Sequence, residues 1–261
     1  MTISEPKIVL FDLEIIPDLQ QALKYWTMLN ASWDSSMTLK AEVTSICSFG
    51  FEIFGDNRAQ VKNAWDWPEW DKNVNADKKL CKFAYDLLVD ADAVVYHNGD
   101  GFDLKYLNTR LAIHKLPQLP NIPTIDTKKL LKRHFFLLRN SLGHGSEIVT
   151  DAEKMDHGEG WQLWIDTVNR KKKAMKLMSE YCKQDIVATR ELFKVLRPKI
   201  RNIPNYNHHS KGLNVCPNCG STRLKSHGWR NTKTMTYKRY RCIDCAAFSR
   251  TNQSDKMPRS F

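Results

Sequence analysis

Two acids, Asp12 and Glu14, interrupt the run KIVLFDLEII over Lys7–Ile16, which is otherwise built almost entirely from Val, Leu, Ile and Phe. Such a run reads as a strand buried on both faces of a sheet, and strand side chains two apart leave by the same face. Two carboxylates aimed together out of apolar surroundings are costly unless one is protonated or a cation lies between them. If the strand instead ended near Leu13, the acids would simply face solvent.

Two further acids occupy comparable places. ADAVVY (91–96) reads as a short buried strand and HNGDG (97–101) as the turn that ends it. Asp103 then opens a helix carrying Leu104, Leu107, Leu111 and Ile113. Taken alone, an acid at that position reads best as an N-cap, and Asp126 before KKLLKRHFFLL reads the same way. In Lys176–Leu196, the residues Met178, Cys182, Ile186, Thr189, Leu192, Phe193 and Leu196 trace one face of a long helix, which should end before Arg197-Pro198. Asp185 falls within that stripe, and Tyr181 lies one turn before it on the same side. The plainer alternative is a Tyr–Asp hydrogen bond at the margin of a core.

The chain has seven cysteines. Cys47, Cys81 and Cys182 are scattered through apolar sequence, as expected of buried thiols in a reducing compartment. The other four form two Cys-x-x-Cys pairs, Cys216/Cys219 and Cys242/Cys245, separated by 22 residues. Four such thiolates can close a tetrahedral zinc shell, and a hairpin absorbs the spacer, which is slightly long for such sites. Two disulfides are the alternative.

These residues need elements to position them. Before the cysteine pairs, RPKIRNIPNYNHHSKGLNV (197–215) has the composition of a linker. The expected organisation is a first domain over 1–200, a linker over 201–213, a compact metal-dependent module over 214–250 and a basic tail over 251–261. The net charge is +11, from 40 Lys and Arg against 29 Asp and Glu. Residues 206–261 hold 11 Lys and Arg and 2 Asp and Glu, so most of the excess sits there. A basic module of this kind suggests a polyanionic partner, most often nucleic acid. No apolar run is long enough for a transmembrane helix, and MTISEP does not open a secretory signal, so the expectation is a cytoplasmic protein with no membrane partner.

FDLEI around Asp12 and Glu14, HNGDGFDLKYL around Asp103 and YCKQD over Tyr181–Asp185 occur in the order of the three motifs of the DEDD, or DnaQ-like, 3′→5′ exonucleases, which this sequence resembles over about residues 5–197. Tyr181 four residues before the last acid is similar to the DEDDy branch, and Asn98, Phe102 and Asp103 meet its Asn-x-x-x-Phe-Asp pattern. The resemblance implies an α/β, ribonuclease H-like fold with a mixed five-stranded sheet flanked by helices. It implies that Asp12, Glu14, Asp103 and Asp185 hold two Mg²⁺ or Mn²⁺ ions about 4 Å apart. Tyr181 would orient the attacking water, and 5′ mononucleotides would leave the 3′ end of DNA, single-stranded or frayed. RNA is the alternative substrate. A reading from another class is a nucleic-acid-binding protein with an inactive nuclease-like domain, which would require a missing acid, and all four are present.

The second module resembles the zinc ribbons of insertion-sequence transposases, with CPNCG (216–220) and YRCIDC (240–245) as its knuckles. It departs from them in CAAF after the last pair, where a glycine often follows. The resemblance implies one structural Zn²⁺ and a ribbon that holds nucleic acid, with Arg223, Lys225, Arg230, Lys233, Lys238, Arg239 and Arg241 as the candidate contacts. His227, Trp229, Tyr237 and Tyr240 are interleaved with them, either to stack on bases or to form the ribbon's small core. Replication or recombination proteins are the alternative partners, and compact nucleases of this type are often phage-encoded. The long first gap carries Trp65, Trp67 and Trp70, for which aromatic packing is preferred over base stacking. His144 and His157 lie where the resemblance is weakest and receive no role.

Overall fold

The structure is a computed structural model, and it describes residues 6–17, 41, 44–152, 162–200, 203–206 and 214–253. The chain divides into two compact units, 7–193 and 194–261 with the first six residues. His157 and the tail beyond 253 lie outside the described residues.

The larger unit is organised by strand β1 (Ile8–Pro17), which continues past both acids instead of stopping at Leu13. It pairs antiparallel with β2 (Thr44–Ile53), with Asp12 opposite Gly50 and Glu14 opposite Ser48. On its other side, Ile8–Leu10 run parallel to β4 (Ala93–Tyr96). With β3 (Gln60–Asn63) and β5 (Thr124–Asp126) the sheet is five-stranded and mixed, in the order β3-β2-β1-β4-β5. The continuous apolar sequence of β1 follows from this central place, since Val9, Leu10, Phe11 and Ile16 are fully buried. Phe11 stacks on Phe49 at 5.8 Å and meets Tyr96 edge-on at 5.4 Å. Each such side chain, fully buried, contributes about 1.5–3 kcal/mol.

Helices flank this sheet: α1 (Glu69–Lys72), α2 (Lys78–Leu88), α3 (Asp103–Ile113), α4 (Thr127–His134), α5 (Leu142–Val149), α6 (Gln162–Val168) and α7 (Lys172–Leu196). The apolar stripe of α7 is buried as expected, and a short 3₁₀ turn over Arg197–Lys199 follows it. α4 is shorter than the run KKLLKRHFFLL suggests, because Phe135 is already extended and Phe136 and Leu138 are fully exposed. Lys132, Arg133 and His134 occupy its last turn, where positive charge complements the helix dipole. The tryptophans are packing residues: Trp70 is buried, Trp65 meets it edge-on at 5.6 Å, and Trp67 packs on the same core.

A buried ion-pair cluster ties α2, α3 and β2 together. Asp77 accepts two hydrogen bonds from Arg110, at 2.8 and 2.5 Å, and one from the Ile46 backbone N–H at 2.8 Å. Burial opposes the Asp77 charge, but the hydrogen bonds from His114 and Arg110 outweigh it and hold the carboxyl below its usual range.

The smaller unit contains a three-stranded antiparallel sheet, β6 (Leu224–Asn231), β7 (Thr236–Cys242) and β8 (Phe248–Arg250), with β7 in the middle. Gly228, at φ +69°, lies in the bulge between Ser226 and Trp229. The Tyr206 backbone N–H donates to the Pro217 carbonyl at 3.0 Å, so part of the stretch read as a linker is fastened to the first knuckle. Gly220, at φ +76°, has Tyr206 against it, and a Cβ there would lie 2.7 Å from that ring. Among the described residues no helix is long and apolar enough to cross a membrane.

Candidate active site and cysteine cluster

Asp12 and Glu14 leave β1 by one face because they are two residues apart, and α7 passes over that face. Asp185 of α7 joins them there: carboxylate oxygens of Asp12, Glu14 and Asp185 lie within 4.8 Å of one another. Glu14 and Asp185 are buried, and Asp12 is half-buried.

Asp103 approaches the same strand from the other side of the sheet order. It is the first residue of α3, with Phe102 as N-cap, and no side chain caps this helix. The N-cap reading of Asp103 is therefore corrected: its carboxylate accepts a hydrogen bond from the backbone N–H of Leu13 at 3.2 Å, between the two β1 acids. β1 extends beyond the short β4, which leaves that N–H to be met by a side chain. Burial, reinforced by the charges of Asp126 and Asp185, pushes the Asp103 carboxyl up to about 7, although the Leu13 N–H opposes the shift.

Asp126 does cap its helix, accepting from the Lys128 and Lys129 N–H groups at 2.9 and 3.3 Å. The same oxygen also accepts from the Asn98 N–H at 3.0 Å, so the cap fixes the start of the loop that delivers Asp103. Asn98 is held at φ +72°, and Gly99 sits on the Tyr96 ring, where a Cβ would lie 2.3 Å from it. Tyr181 is half-buried on α7, with Trp164 edge-on to its ring at 6.2 Å.

The donor set tests which ion fits. Four carboxylates, three of them buried, repel one another, and a divalent cation relieves that repulsion. Cys182 lies beside them, and burial first, then the charges of Asp12, Glu14 and Asp185, push its thiol well above the usual range. The cluster of Asp12, Glu14 and Asp185 offers carboxylate oxygens, hard donors that suit Mg²⁺ or Mn²⁺ better than zinc.

The four ribbon cysteines have the opposite chemistry. Their sulfurs lie within 4.8 Å of one another, with Cys216–Cys245 and Cys219–Cys242 each at 3.6 Å, and none is in a disulfide. A tetrahedral zinc with Zn–S bonds of about 2.3 Å sets its sulfurs about 3.8 Å apart, so the cluster fits that ion. Burial, and then the other thiols, push Cys216 up to about 11 and raise Cys219 as well. Cys242 is shifted the other way: burial opposes its charge, but backbone N–H and neighbouring thiol hydrogen bonds outweigh it and hold the group below the usual thiol range.

Of the ribbon cations, Arg223 is paired with Asp244. Lys225, Arg230, Arg239 and Arg241 lie on the sheet, Lys238 points to its other face, and Lys233 is in the hairpin turn. His227 meets Phe248 edge-on at 5.1 Å, Arg250 covers Tyr237, and Lys238 lies over Tyr240, whereas Trp229 is half exposed. His144 is 3.9 Å from its helix neighbour Glu147. Gly50, Phe248 and Arg250 join these sites only in the fold. A glycine inside an apolar strand signals close backbone approach, and alternation along β8 would have paired Arg250 with the β7 arginines.

A mixed sheet with antiparallel β1–β2, parallel β4 and β5 and acids on its central strand defines a ribonuclease H-like fold. Residues 38–197 match the RNase_H superfamily, and the chain belongs to that superfamily. The matched stretch includes Asp103 and Asp185 but begins after β1. Among solved structures, the chain is similar to the family B DNA polymerase from the hyperthermophilic archaeon Pyrobaculum calidifontis, with 14% identity and a TM-score of 0.50. The alignment covers 88% of this chain and 32% of the polymerase, and at that identity it supports the fold alone. No curated protein matches the sequence.

Proposed function

We propose that this protein is a metal-dependent 3′→5′ exonuclease of the DEDDy type that acts on DNA, and that its ribbon, holding one structural Zn²⁺, retains the nucleic acid. The observation that carries the reading is the gathering of Asp12, Glu14 and Asp185 within 4.8 Å, with Asp103 bound to the backbone between the two β1 acids. The order of the three motifs supports the polarity, and the transposase-like ribbon supports DNA.

Asp12, Glu14, Asp103 and Asp185 would hold two divalent cations. When bound, such ions supply a nucleophilic hydroxide at neutral pH and neutralise charge on the departing 3′ oxygen. The protein's own groups do the rest. Carboxylates on β1, α3 and α7 come from three separate elements, so the scissile phosphate is confined by the packing of the sheet against helices. The Tyr181 hydroxyl orients the attacking water. Hydrolysis would then release a 5′ mononucleotide with no covalent intermediate.

The test is digestion of 5′-labelled single-stranded DNA, duplex DNA and RNA with Mg²⁺, by the native chain and by Asp12→Ala. The expected result is a ladder shortening from the 3′ end of single-stranded DNA that disappears in the variant. Endonucleolytic products, a faster rate on RNA, or undiminished activity of Asp12→Ala would each overturn part of the reading.

A further inference from the structure

The two faces of the ribbon sheet differ in chemistry. Directly opposed residues of an antiparallel pair share a face, so the register collects Lys225, Arg230, Arg239, Arg241 and Arg250 on one side. Tyr237 and Phe248 share that side. The other carries Trp229, Lys238 and Tyr240, together with the cluster residue Cys242.

The arginines on the cationic face are pre-arranged. The Arg239 guanidinium carbon lies 3.8 Å from the centre of the Phe248 ring, and that of Arg250 lies 3.7 Å from the centre of Tyr237. Each is a diagonal contact between β7 and β8. A guanidinium stacked on a ring keeps its in-plane N–H groups directed outward and is well suited to bidentate phosphate contacts. The rings, covered in this way, offer less surface for bases. Asp244 is the ribbon's acid among the described residues, and it is taken by Arg223. Five like charges on so small a sheet repel one another, and a polyanion removes that cost.

We infer that this face binds the sugar-phosphate backbone of nucleic acid, with Arg239 and Arg250 as its phosphate clamps and Phe248 and Tyr237 as the supports that hold them flat. The inference rests on the proposal that the ribbon retains nucleic acid. It replaces the broad set of ribbon cations with one face that includes Arg250 and excludes Arg223, Lys233 and Lys238, and it makes recognition independent of base sequence.

The test uses the full zinc-loaded chain carrying Asp12→Asn, without added magnesium, so that the probe survives. Binding of labelled oligothymidylate and oligodeoxyadenylate is followed by fluorescence anisotropy over a series of salt concentrations. Arg239→Gln with Arg250→Gln should flatten the slope of log affinity against log salt by about 1.4, from about 0.7 per single-strand phosphate contact. Lys238→Gln, on the opposite face, should leave the slope in place, and the two oligomers should bind alike. An unchanged slope in the double variant, an equal loss in Lys238→Gln or a marked base preference overturns the inference. If the double variant does not retain zinc, Arg241→Gln is judged by the same criteria, with about half the change. Failure of the native chain to degrade DNA would sink the nuclease reading and leave this measurement standing. An unaltered slope in a chain that does degrade DNA would sink the cationic face alone.

Discussion

Gly50 of β2 and Cys182 of α7 approach so closely that no side chain fits between them: a Cβ on Gly50 would lie 2.9 Å from the Cys182 sulfur and 3.1 Å from its carbonyl oxygen. Gly50 is also the register partner of Asp12. The missing side chain therefore lets α7 rest on the strand pair that carries the acids, and Asp185, three residues beyond Cys182, arrives beside Asp12 and Glu14.

Gly50→Ala should push the helix away from the sheet. Overpacking of this kind costs about 1–3 kcal/mol, which lowers Tm. The more telling readout is magnesium: the concentration needed for half-maximal nuclease rate should rise because Asp185 is displaced from its partners. A lower Tm with an unchanged magnesium requirement would mean that helix spacing does not govern the site.

Asp103 gives the protein a pH signature. Its folded pKa, raised to about 7, lies above the reference value of about 3.9 for an unfolded Asp. The stability associated with its protonated form is complete below about pH 4 and is lost as pH rises towards about 7. Without added divalent ions, Tm should therefore fall across that window through the Asp103 contribution. Asp103→Asn should flatten the decline, and a parallel pH profile in the variant would refute the assignment.

Tyr181→Phe removes the hydroxyl but keeps the ring against Trp164. Turnover should slow while DNA affinity and Tm stay near those of the native chain. If water orientation is the role, the loss should appear in kcat rather than KM, and an unchanged kcat would dismiss it.

Zinc removal should act on one unit only. The ribbon strands bury little: β6 is almost wholly exposed, and buried residues of the module include Val215, Cys216, Cys242 and Ala247. Structural zinc contributes about 10–16 kcal/mol in small modules of this kind. Cys219→Ser, or a zinc-selective chelator, should make residues 214–253 sensitive to protease while the 7–193 unit keeps its melting transition. Loss of both together would show that the units do not fold separately.

Much of this was legible in the chain itself. The apolar run around Asp12 and Glu14 reads as a buried strand and the stripe from Met178 to Phe193 as a helix packed along one side, and both form. Both signals are periodic, and periodicity belongs to local sequence. The two Cys-x-x-Cys pairs carry their own geometry in the same sense. Asp126 was legible as a cap because capping is decided within one turn.

What the sequence could not decide was settled by distant backbones meeting. Asp103 sits where a cap is expected, but its partner is the Leu13 N–H, 90 residues earlier in the chain. Gly50 looked ordinary because its neighbour across the gap lies on a helix more than 130 residues later. Arg250 joined the ribbon cations only through the pairing of β8 with β7. By itself the sequence determined which residues carry charge, metal-binding capacity and strand or helix periodicity. Only the tertiary structure decided which of those residues share a face, because register and close packing depend on contacts between segments far apart in the chain.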